Sequence, residues 1–138
     1  SDKVFTFDLE QALSFDGDTG PYCQYAATRL SSILKKVESV STAVSASMVF
    51  DHPSEKALAL TIGVLPARMH QAGKELRPCM IAQWCVEMAQ RVHAFYRDVP
   101  VLDASPDVRA GRIRLVRAAH AALEKGLWLL GIPLPDEM

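Results

Sequence analysis

Tyr22, Tyr25, Arg29 and Lys36 are the residues whose types and spacing best suit a binding chemistry. At 100° per residue they fall together on one flank of a helix. That flank lies about 80–90° from the centre of an apolar stripe made by Ala26, Leu30, Ile33, Leu34 and Val37. An aromatic ring beside a fixed positive charge offers a π-face and a cation at once, which is what an unstacked nucleic-acid base and its phosphate require. The same pattern equally suits two half-buried tyrosines of an amphipathic helix with their hydroxyls in water.

Just before this flank stands a compact acidic loop, Ser14, Phe15, Asp16, Gly17, Asp18 and Thr19. Gly17 and Gly20 admit backbone angles closed to other residues, so the chain can fold back here. Thr19 or Gly20 can cap the helix that follows, and Pro21 suits its first turn, where a missing N–H costs nothing. Asp16 and Asp18 hint at a calcium loop, but the later ligands and the terminal glutamate are missing.

No catalytic constellation stands out. His52, His70, His93 and His120 are scattered, none at zinc spacing to a cysteine. FDGDTG lacks the lysine and preceding strand of a phosphate loop, and no serine sits in a nucleophile elbow. His93 reads as a helix-packing or surface histidine. Arg109, Arg112, Arg114 and Arg117 crowd one segment without aligning. Arg112 falls on an apolar stripe and Arg109 near it, so internal ion pairing is expected for Arg112 and solvent or phosphate for Arg114 and Arg117.

The elements that must hold these groups are all helical. The 138 residues make one ordinary domain, 49% hydrophobic and 22% charged, with a net charge of −1. A globally basic nucleic-acid binder is excluded, so any such contact must come from a local patch. No apolar run approaches bilayer length and the polar start is no signal peptide. The initial serine points to a piece of something longer. Cys23, Cys79 and Cys85 are an odd set without framework spacing, which favours free thiols in a reducing compartment, with Cys23 and Cys85 buried.

In chain order, Asp8 and Glu10 start a short helix within Phe5 to Leu13, and a long one runs from about Pro21 to Ser39. Ser39 to Ser47 is a connector. Asp51-His52-Pro53-Ser54-Glu55 opens the next helix, with Pro53 at its first position and Glu55 in its first turn. Pro66 opens another, to about Leu76, and Pro78 precedes a helix over Cys79 to Asp98 with the stripe Ile81, Cys85, Met88, Val92 and Phe95. The last helix runs from Val108 to Leu130. It turns Ile113, Val116, Ala119, Leu123, Leu127 and Leu130 inward, and Gly131 caps it. The expectation is an all-α bundle of five or six helices.

Four runs bring a family into view: FDLEQALSFDGDTGPYCQYAATRLSSILKK, HPSEKAL, VHAFYRDVPVL and RAGRIRLVRAAHAALEKGLWLLGIPLPDEM. Together they resemble the C-terminal DALR anticodon-binding domain of arginyl-tRNA synthetase. The likeness spans nearly the whole chain, and its first and last segments are the specific ones. It implies that residues 1–138 are a single helical anticodon-binding module, the C-terminal fragment of a longer chain. In that family the enzyme joins arginine to its tRNA with ATP. The class I ATP signatures are absent here, so the fragment is expected to hold no cofactor or metal and no catalytic centre. The partners implied are the anticodon stem-loop of arginine tRNA and the catalytic domain of the same chain, in a cytoplasmic monomer without membrane contact.

By the same resemblance, the loop Ser14 to Thr19 would respond to tRNA and contact its stem-loop. Tyr22, Tyr25 and Tyr96 match positions whose rings engage splayed anticodon-loop nucleotides, and Arg29 lies beside them. Met138 matches a terminal residue that approaches the middle anticodon base, a cytosine. The chain departs from the family pattern at Arg97-Asp98, where asparagine is frequent, and in RPCMIAQWCVEM. Two alternatives stay open: a helical packing or protein-interaction domain without tRNA binding, kept alive by the near-neutral charge, and the related domain of another synthetase.

Overall fold

The computed structural model describes residues 20–37 and 49–136. Among these residues the structure is helical throughout: α1 Gly20–Val37, α2 Pro53–Gly63, α3 Leu65–Glu75, α4 Cys79–Asp98 and α5 Pro106–Leu129. Only Val64 separates α2 from α3, so the five helices of the described residues count as four rods if that pair is taken as one, and the expected all-α bundle is found. The short helix expected within Phe5 to Leu13 and the connector Ser39 to Ser47 lie outside the described residues.

The α4 helix is the axis of the bundle and packs against all four other helices. The reason is visible in its composition. Ile81, Cys85, Met88, Val92 and Phe95 are buried as their spacing requires, and Trp84 and Ala89 widen the stripe. A helix with so broad an apolar face needs partners on several sides. Trp84 is buried at 1% exposure and donates its indole N–H to the Thr61 carbonyl at 2.8 Å, tying α4 to α2. Across from it, a Cβ built on Gly126 would lie 2.8 Å from Trp84 Cζ3 and from Cys85 Sγ. Gly126 therefore lets α5 approach α4 more closely than any larger residue would.

α5 buries Gly111, Ile113, Leu115, Val116, Ala119, Leu123, Gly126 and Leu127. Leu130, expected inward, is only partly buried. The helix stops where the sequence says it should: Gly131 takes a φ of 73°, the Ile132 N–H bonds the Leu127 carbonyl and the Gly131 N–H bonds the Trp128 carbonyl, both at 2.9 Å. Beyond this turn the tail comes back to the start of α1, where Ile132 packs on Gly20 and Gln24 Nε2 donates to the Pro133 carbonyl at 2.7 Å.

The prolines mark the helix starts as expected. The α2 N-terminus is capped by His52, whose Nδ1 accepts from the Ser54 N–H at 3.1 Å. Glu55 sits in the first turn, as expected. It is 2% exposed and its carboxylate takes Arg112 at 2.9 Å. Arg112 is the internal ion-pairing arginine that its place on the α5 stripe implies, and Arg109 also turns inward to the Leu102 carbonyl at 3.4 Å. Arg114 and Arg117 are exposed.

A candidate nucleotide-stacking site between α1 and α4

Tyr22, Tyr25 and Arg29 are one and two turns apart on α1, and they meet His93 and Tyr96 of α4 where the two helices pack. The apolar stripe of α1, Cys23, Ala26, Leu30, Ile33 and Val37, faces the core. That orientation leaves the tyrosines on the shoulder, as the wheel requires. Tyr25 and Tyr96 are 42% and 44% exposed, whereas Tyr22 is half-buried and packed against the core.

Arg29 joins the cluster. Its Cζ lies 4.5 Å from the centroid of the Tyr25 ring and 4.8 Å from that of Tyr96, over the face of each. Nη2 donates to Tyr25 Oη and Nη1 to His93 Nδ1, both at 3.1 Å. Since a guanidinium can only donate, His93 Nδ1 must accept and the ring proton belongs on Nε2. The imidazole sits against Tyr22 with centroids 4.8 Å apart and against Tyr25 at 5.8 Å. Its Nε2 is buried without a well-formed hydrogen bond, although the Tyr22 main chain lies near enough to favour the protonated ring.

His93 is a packing histidine, but its place within the ring cluster is not evident from local sequence. One signal points to it: His93 and Tyr96 are three residues apart and so share a flank of α4. Burial, and then the Arg29 charge, hold the His93 pKa below its ordinary value of 6.5, against the weaker pull of the Tyr22 main chain. The fold therefore favours neutral imidazole. Its contribution to stability is fully present above the unfolded pKa and is lost as the pH falls through the lower folded value. Thermal unfolding should accordingly lose stability between about pH 7 and pH 5, and His93→Gln should remove that component of the pH profile.

The other expected site residues separate into two groups. Ser14, Phe15, Asp16, Gly17, Asp18, Thr19 and Met138 lie outside the described residues. The described tail, through Asp136, runs along a different flank of α1. There Leu134, Pro135 and Asp136 border a cleft of about 420 Å³ with Thr28, Ser31 and Lys35, and His120 Nε2 meets Ser31 Oγ at 2.9 Å. That flank lies about 130° around the helix from the tyrosines at 100° per residue. Rings and tail thus bracket the exposed ridge of α1 that carries Ser32, with Lys36 on the side of the rings. At the family departure, Arg97 and Asp98 pair with each other, Arg97 Nε donating to Asp98 Oδ1 at 2.8 Å.

The described residues hold no group of three or more histidines, cysteines and carboxylates placed to take a metal ion. Cys23 and Cys85 are buried free thiols, and burial together with the neighbouring Cys23 pushes the Cys85 thiol up to about 12, which keeps it protonated and unreactive. No helix of the described residues is long and apolar enough to cross a membrane.

Comparison with known proteins bears on the family and the fold. The family model described as the DALR anticodon binding domain matches residues 23–138. The chain is 38% identical over 136 residues to the arginine–tRNA ligase of Frankia casuarinae, covering 99% of this chain and 23% of that enzyme. It is 37% identical over 144 residues to the arginine–tRNA ligase of Pyrococcus furiosus, again covering 99% of this chain and 23% of the relative. The solved arginyl-tRNA synthetase of Thermus thermophilus superposes with a TM-score of 0.85 at 37% identity, over 96% of this chain and 23% of that one. The chain thus spans less than a quarter of the length of these relatives. With a matching family model over most of its length and a helical bundle that superposes on a solved relative, the chain belongs to the DALR anticodon-binding domain family.

Proposed function

We propose that this domain grips the anticodon loop of arginine tRNA on the face built by Tyr22, Tyr25, Arg29 and Tyr96. In this reading it serves a longer chain that carries the catalytic centre and joins arginine to tRNA with ATP. It works there as a single module spanning residues 1–138, in a cytoplasmic monomer. The observation that carries the reading is the ring cluster between α1 and α4, in which two tyrosines stay more than 40% exposed around one guanidinium. Tyrosines needed only for packing would bury more of their area, and a solvated arginine would not be stacked. Splayed bases of a single-stranded loop are the partners that such a surface suits, because every base has a π-face.

The roles of Ser14 to Thr19 as a stem-loop contact, and of Met138 beside the middle anticodon base, belong to the same proposal and rest on family likeness. Among the described residues the tail follows α1 as far as Asp136, on a flank other than that of the rings.

The test is a salt titration of binding to the arginine tRNA anticodon stem-loop by fluorescence anisotropy. With a net charge of −1, affinity should come from a few local phosphate contacts. The logarithm of the association constant should then fall linearly with the logarithm of salt, with a slope of about −1 to −3. Absence of binding at low salt, by a chain shown to be folded, would leave the helical packing domain as the better reading.

A further inference from the structure

We propose that Arg29 is a displaceable stand-in for a nucleobase, and that His93 is the positioning residue that holds it in place. The inference rests on the tRNA reading above and deepens it.

The guanidinium covers a face of the Tyr25 ring and a face of the Tyr96 ring, with Cζ 4.5 and 4.8 Å from their centroids. Those are ordinary distances for one planar group against two aromatic rings. A base that stacks on those same two faces needs the position that the guanidinium occupies. Two of the Arg29 nitrogens are also committed inward, to His93 Nδ1 and Tyr25 Oη. In this arrangement Arg29 is turned into the cluster, and giving those nitrogens to a phosphate means breaking both bonds. Binding is therefore an exchange: the guanidinium leaves the rings for the RNA backbone, and the base takes its place.

His93 sets the balance of that exchange. It is the α4 hydrogen-bond acceptor for Arg29, reached from a residue 64 positions away in sequence. The groups that face it from α1 are Tyr22, Tyr25 and the Arg29 cation.

A residue that stabilises only the closed state weakens apparent affinity by the fraction of molecules it keeps closed. Removing it must strengthen binding, the reverse of what loss of a contact residue does. The experiment compares wild type, His93→Ala and His93→Gln for the arginine tRNA anticodon stem-loop, by anisotropy and stopped flow at low salt, each chain first shown to be folded by circular dichroism. His93→Ala is expected to bind about three- to tenfold more tightly, mostly through faster association. His93→Gln, whose carboxamide oxygen can still accept from Arg29, is expected to return to within about twofold of wild type. On saturation of wild type with RNA, the His93 Nδ1 nitrogen shift is expected to move to that of the Arg29→Ala variant. Weaker or unchanged binding by His93→Ala, or an unmoved Nδ1 shift in an RNA-bound wild type, overturns the exchange while leaving the tRNA reading intact. Failure of wild type itself to bind overturns both.

Discussion

Glu55→Ala should destabilise the domain by about 3–5 kcal/mol, because it strands the Arg112 cation inside the bundle. The Glu55 and Arg112 side chains are 3% and 14% exposed, and both Nε and Nη2 of Arg112 donate to Glu55 Oε1, at 3.2 and 2.9 Å. Nη1 donates to the Pro100 carbonyl at 2.7 Å, so the same guanidinium joins α2, α5 and the connection from α4 to α5. Removing the carboxylate leaves a mostly buried charge with a carbonyl alone to compensate it. The measurement is urea unfolding of Glu55→Ala against wild type. A lower midpoint with an unchanged slope is expected, together with a fall in Tm of roughly 10–20 °C. The double variant Glu55→Leu, Arg112→Met should recover most of the loss, because well-packed apolar side chains dispense with the desolvation that the pair must offset. A loss below about 1 kcal/mol for Glu55→Ala would mean that the pair is solvated, as surface ion pairs are.

This pair marks how far local sequence carries the fold. The position of Arg112 on the apolar stripe of α5 is legible, and it implies an internal partner. The partner is not legible: Glu55 stands 57 residues away at a helix start, where a carboxylate has a sufficient local reason to be. The helices themselves follow from pattern. The α4 stripe is regular enough to place its buried face from spacing alone, and the boundaries Cys79 and Asp98 fall where Pro78 and Pro100 require. Gly126 is the opposite case. Nothing in GLWLL distinguishes a helical glycine kept for close approach from a weak spot, since the reason is the Trp84 indole and the Cys85 sulfur on another helix.

The site divides along the same line. Tyr22, Tyr25 and Arg29 are near in sequence, so their shared flank can be computed from the helical period. That Tyr96 and His93 join them depends on how α1 packs against α4, a tertiary fact with no period to reveal it. Family likeness supplies Tyr96 but says nothing of His93. The wheel also does not reveal that Arg29 is turned into the rings, because direction along a flank fixes where a residue starts and not what its flexible head touches.

Tyr25→Leu and Tyr96→Leu should each weaken binding to the arginine tRNA anticodon stem-loop by about tenfold, within the roughly 1–3 kcal/mol that stacking of one base on an aromatic ring contributes. Leucine keeps apolar bulk at the shoulder and removes the π-face, so the variants test stacking with little cost to the fold. Both rings are more than 40% exposed, which limits the effect on stability. Tyr22 is unsuited to this test, because it packs against the core and against His93, and its loss would mix folding with binding. Tyr25→Phe separates the ring from its hydroxyl: it forfeits the hydrogen bond from Arg29 Nη2 but keeps the face, and should stay within about threefold of wild type if stacking carries the contact. The double variant decides whether one base touches both rings. A shared base predicts that Tyr25→Leu with Tyr96→Leu is weaker than wild type by clearly less than the product of the single effects, whereas two separate bases predict the full product. Single effects below about twofold, in chains with unchanged unfolding curves, would remove the rings from the binding surface. Affinity for RNA would then have to come from elsewhere on the domain, for example from exposed cations such as Lys35 of α1 and Arg117 of α5.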